Sequence, residues 1–100
     1  MDIRAQAYDG LERVIDPELG IDIVNLGLVY DVVVTDDEIV VTMTMTTPAC
    51  PLQPFFQQAV PAAVKKATGR DQVRLVVTFD PVWTPEKMTE KGKMFMRMMR

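Results

Sequence analysis

The sequence has no histidine and a single cysteine, Cys50, among its 100 residues. Without histidine, the commonest neutral-pH general base and the commonest zinc ligand are both missing. That excludes Ser-His and Cys-His nucleophilic chemistry within one chain. One cysteine cannot close an internal disulfide, so nothing points to an oxidising compartment. There is no run of roughly 18 apolar residues and no charged-then-apolar leader. Nor is there a basic excess, because the net charge is −3 and nucleic-acid binders usually carry a basic patch. The expectations are a soluble cytoplasmic protein with no nucleic-acid and no membrane partner. What is present is ordinary globular composition, 48% apolar and 25% charged, enough for one compact domain over residues 1–100.

The stretch Thr46-Thr47-Pro48-Ala49-Cys50-Pro51-Leu52 organises the rest. A strand-like run ends there and an amphipathic segment begins. Proline is tolerated at the first position of a helix and poorly inside one, which places Cys50 just before a helix. A thiol in that position faces unpaired backbone N–H groups and the positive end of the helix dipole. Both favour the thiolate, which is the nucleophile and the metal ligand. The plainer alternative is a small buried hydrophobe in a turn.

Ile3, Ala7, Leu11, Val14 and Ile15 recur at helical spacing and predict a helix over residues 3–15, ended by Asp16-Pro17. Asp16-Pro17-Glu18-Leu19-Gly20 then reads as a turn, with Asp16 bonding backbone N–H groups two residues on. Its two carboxylates either ligate a cation or only cap the turn. Leu28, Tyr30, Val32 and Val34 alternate at strand period, as do Ile39, Val41, Met43 and Met45, and Thr35-Asp36-Asp37-Glu38 joins them as an antiparallel hairpin. Its other face carries threonines up to Thr46, which with Thr47 can donate to a thiolate or ligand, or simply face solvent.

From Leu52 to Ala67 the apolar period is helical, stopping at Gly69. Pro54 falls near the first turn, while Pro61 lies mid-helix and is expected to kink or split it. Val73, Leu75, Val77 and Phe79 give a third strand. Thr84-Pro85-Glu86 has the chemistry of a helix start. The five methionines from Met88 onward read as core or interface filler rather than a soft-metal site, and Trp83 as a core anchor. The order helix-strand-strand-helix-strand-helix predicts a two-layer α+β domain: about three strands, mostly antiparallel, with helices on one face.

Four ordered blocks carry a resemblance that runs over nearly the whole chain. They are Asp16-Pro17-Glu18-Leu19, Asn25-Leu26-Gly27-Leu28-Val29-Tyr30, Thr44-Met45-Thr46-Thr47-Pro48-Ala49-Cys50-Pro51, and Asp80-Pro81-Val82-Trp83-Thr84-Pro85-Glu86-Lys87-Met88-Thr89. In these the chain resembles the small iron–sulfur assembly domain family that includes SufT and the phenylacetate-pathway protein PaaD. The resemblance implies a role in maturing iron–sulfur proteins, with Cys50 as the reactive or cluster-associated thiol and Asp16, Glu18, Thr46 and Thr47 as its supporting pocket. It implies assembly or client proteins as partners. Pro54 and Pro61 depart from the family pattern, and the cysteine-rich tail of PaaD-like proteins has no counterpart here, which favours the stand-alone assembly role over one in aromatic acid degradation. A cluster normally takes four cysteine ligands, and one chain offers one. A transient iron–sulfur cluster, shared across a homodimer or completed by outside ligands, is therefore expected rather than a stably bound one. The rival readings are a docking or transfer point without a cluster, a thiol-dependent enzyme, and a structural interaction module with an inert Cys50.

Overall fold

The structure, a computed structural model, describes residues 2–47 and 51–98, so Cys50 lies outside the described residues. The elements run α1 (Ile3–Leu11), β1 (Val29–Val34), β2 (Ile39–Met43), α2 (Gln53–Thr68), β3 (Val73–Val77), a 3₁₀ turn (Pro85–Lys87) and α3 (Glu90–Met98). This is the expected order in a small α+β domain.

Thr35 closes the hairpin. Its backbone N–H donates to the Glu38 carbonyl at 2.9 Å, and its hydroxyl accepts from the Asp37 and Glu38 amides at 3.3 and 3.1 Å. β1 and β2 pair antiparallel, with an irregularity between Val29 and Asp31. β3 pairs with the other edge of β2 in parallel, Ile39 opposite Val73 and Met43 opposite Val77. The sheet is therefore mixed, with one pairing of each kind, rather than mostly antiparallel. The reason is topological: parallel neighbours need a long crossover, and α2 is that crossover.

Alternation along β2 buries Ile39, Val41 and Met43. Ala7 and Leu11 of α1 and Phe56, Val60 and Val64 of α2 join the same core. α1 packs on β1 and α2 on β3, and the two helices pack on each other, so both cover one face. Their approach depends on Gly10, where a Cβ atom would stand 2.8 Å from the Ala63 carbonyl oxygen and from the Ala67 methyl. Gly10→Val is expected to cost about 1–3 kcal/mol, the usual range for overpacking, read as a lower urea midpoint.

Several boundaries differ from the sequence expectation. α1 stops at Leu11 rather than Ile15, because the chain tightens there: the Arg13 and Val14 amides donate to the Gly10 and Leu11 carbonyls. Alternation breaks after Met43, since Thr44 and Met45 are both buried and Thr44 is no solvent-face residue. α2 runs through Pro61 without a break. A proline removes one N–H from the ladder, and buried side chains on both sides of it, Phe56, Val60 and Val64, hold the helix in place. Gly69 ends α2 at φ +73°, as the glycine signal indicated. Thr84-Pro85-Glu86 opens only the 3₁₀ turn. α3 starts later, where the Thr89 hydroxyl accepts from the Gly92 amide at 3.1 Å.

Candidate functional site

The irregular segment of residues 12–28 supplies the first wall. Asp16 is buried, at 4% exposure, and its Oδ1 accepts from the Glu18 and Leu19 amides at 2.8 and 3.2 Å. Its own N–H donates to Ile21 and its carbonyl accepts from Gly20. A short carboxylate collecting two local amides is the turn chemistry expected of an Asp-Pro step. Asp16→Ala leaves those amides without their acceptor and is expected to lower stability by about 1–3 kcal/mol, measured by chemical denaturation.

The second wall is Thr46, which follows the buried pair Thr44 and Met45. The third is the segment from Trp83 into α3, and it is pinned to residues 25–30. Trp83 Nε1 donates to the Leu26 carbonyl at 2.8 Å, and the Tyr30 hydroxyl donates to the Pro81 carbonyl at 2.8 Å. The Thr89 hydroxyl donates to Asn25 Oδ1 at 2.6 Å, and the Thr89 amide to the Asn25 carbonyl at 3.0 Å. Asn25 is in turn oriented by Asp22, which accepts from its side-chain amide at 2.7 Å and its backbone N–H at 2.9 Å. Two glycines permit this approach: a Cβ at Gly27 would strike the Lys87 carbonyl, and one at Gly92 the Asn25 carbonyl. Gly27 also has φ +83°, a conformation glycine adopts without steric cost.

Together these walls enclose a cleft of about 300 Å³ lined by Asp16, Glu18, Leu19, Leu26, Thr46, Trp83, Met88 and Met96. Asp16, Glu18 and Thr46 thus come together from opposite sides of the hairpin sequence. Thr47 is exposed and lies beside the lining residue Thr46 in the chain. The resemblance implied a pocket of Asp16, Glu18, Thr46 and Thr47, and five of the eight residues lining this cleft are apolar. Trp83, read as a core anchor, and Met88 and Met96, read as filler, pack in or against the core as read and also form its wall. No periodicity marks them, although Trp83 and Met88 fall in the fourth of the blocks that carry the family resemblance. Among the described residues no three acidic, histidine or cysteine side chains gather as a metal-binding group. No helix among them is long and apolar enough to cross a membrane.

Residues 4–76 match the family of iron–sulfur cluster assembly proteins. The chain belongs to that family. The Fe–S protein maturation auxiliary factor YitW of Bacillus subtilis is 42% identical over 92 residues, covering 91% of this chain and 90% of that protein. The Fe–S protein maturation auxiliary factor SufT of Staphylococcus aureus is 41% identical over 81 residues, covering 80% of this chain and 92% of that one. A crystal structure of a domain of unknown function from Bacillus anthracis superposes with a TM-score of 0.87 at 38% identity, covering 92% and 89% of the two chains. The family match ends at residue 76, so in this iron–sulfur assembly chain the wall formed by Trp83, Met88 and Met96 comes from outside the matched residues.

Proposed function

We propose that this chain is an accessory or carrier factor in iron–sulfur protein maturation, a single assembly-like domain over residues 1–100 in which Cys50 is a transient thiolate ligand for iron or cluster. The cluster is cargo, passed to assembly or client proteins in the cytoplasm. The observation that carries the reading is the cleft itself: Asp16, Glu18 and Thr46, from separate stretches, line one cavity, and Cys50 follows Thr46 by four positions in the chain. Thr46 and Thr47 supply hydroxyls beside such a ligand, and Glu18 an exposed carboxylate.

The donor set suits release rather than storage. Asp16 Oδ1 is already committed to two backbone amides, and the sequence contains one thiol. A homodimer would bring two thiolates, still short of the usual four, so small thiols or a client's own cysteines complete the shell. Anaerobic reconstitution with ferrous iron and sulfide, read by visible absorbance for wild type and Cys50→Ser, tests this reading.

A further inference from the structure

Charge is segregated along this chain. Residues 85–100 hold Lys87, Lys91, Lys93, Arg97 and Arg100 against Glu86 and Glu90, a net +3, so residues 1–84 carry −6 of the overall −3. A second cleft of about 430 Å³ lies between the 3₁₀ turn and α3. It is lined by apolar Trp83, Met88 and Met96 and by the cations Lys93 and Arg97, and Glu86 is the one acid among its lining residues. The three apolar residues also line the candidate site, so an occupant of this cleft adjoins that site.

We infer that this cleft docks an acidic segment of a partner polypeptide, with a large apolar side chain seated on Trp83, Met88 and Met96 and flanking carboxylates held by Lys93 and Arg97. Charge complementarity selects the occupant. The lining holds Lys93 and Arg97 against Glu86 alone, so it attracts an acidic chain, while residues 1–84 carry a net −6. Lys93 is free to exchange partners, because its contact with Glu90 is 3.8 Å long and Glu90 is 86% exposed, a kind of pair that contributes little. The volume lies within the range of about 300–1,000 Å³ that ligand clefts occupy. A basic helix with exposed Met94 and Met98 also has the composition of a bilayer-surface helix, but neither methionine lines the cleft. The inference rests on the maturation reading only in making that partner a client.

Trp83 is the sole tryptophan, so its emission reports occupancy directly. The probe is a short peptide alternating glutamate with leucine and phenylalanine, titrated into metal-free protein. Its lysine-for-glutamate counterpart and vesicles of phosphatidylserine and phosphatidylcholine serve as comparisons. The acidic peptide is expected to shift Trp83 emission saturably, with affinity falling as salt rises. Lys93→Glu with Arg97→Glu is expected to weaken it about tenfold, and the matching pair of glutamine substitutions by less. Lys93 is half-buried and Arg97 exposed, and circular dichroism checks that the helix persists. Equal binding of the two peptides, indifference to the charge reversal, or binding of the vesicles without the acidic peptide would each overturn the proposal. Because the protein carries no iron in this titration, failure here leaves cluster carriage standing. Failure of reconstitution likewise leaves docking standing.

Discussion

Cys50→Ser is expected to reduce uptake of iron and sulfide to the level of non-specific binding, with the fold retained by circular dichroism. Serine keeps the size of the side chain but supplies no thiolate at neutral pH, and thiolate is the form that ligates iron in these clusters. The apolar periods that build α1, α2 and all three strands run without Cys50, so the substitution leaves the core pattern untouched. In the wild type, one thiolate per chain predicts a labile cluster that depends on association. Its visible absorbance should disappear under a chelator challenge that a four-cysteine ferredoxin survives. If the serine variant takes up as much iron and sulfide as wild type, Cys50 is not a ligand and the carrier reading fails. A stable cluster on an isolated monomer would instead show that the ligand count is wrong.

The second large effect is expected at Gly27. Alanine there costs about 1–2 kcal/mol for the left-handed backbone and a further ~1–3 kcal/mol for forcing apart Gly27 and the Lys87 carbonyl. Against a total stability of roughly 5–15 kcal/mol, this should lower Tm by about 10 °C or more in a domain of this size. Gly20→Ala separates the two contributions. Gly20 has nearly the same φ, +74°, but nothing within 4 Å of an added Cβ, so its substitution carries the backbone cost alone. Equal destabilisation by the two variants would mean that the Gly27–Lys87 approach contributes nothing.

Where a local pattern decides the outcome, the sequence was legible. The period of Phe56, Val60 and Val64 marks α2, Gly69 its end, and the four polar residues from Thr35 to Glu38 the hairpin turn. Asp16 folds its turn by bonding its own neighbours, so that too is visible in the chain. Three things were not. The direction of β3 depends on where α2 delivers the chain, which no strand pattern encodes. Nothing in the spacing of residues 12–28 announces that Asn25 will meet Thr89, 64 positions away. Trp83 and Met96 do pack against the core, but nothing in the chain says that they also wall a cleft, because an apolar cleft wall and an apolar core draw on the same residue types. Asp16, Glu18 and Thr46 were recognisable as polar breaks at the ends of apolar elements, and they do share a cleft.

The clasp between residues 25–27 and 87–92 has a thermodynamic consequence. α3 has no broad packing against any other helix or strand; it rests through Gly92 on Asn25 and Ile21, through the Thr89–Asn25 hydrogen bonds, and through Phe95 and Met96, which pack against the core. Local stability follows such contacts rather than the global total. The C-terminal helix is therefore expected to open at lower free energy than the sheet and the α1–α2 layer, read as faster amide exchange over residues 90–98. Each such opening would take Met96 out of the cleft wall while Trp83 stays tied to the Leu26 carbonyl and Met88 stays in the core, so the cleft can widen without unfolding of the domain.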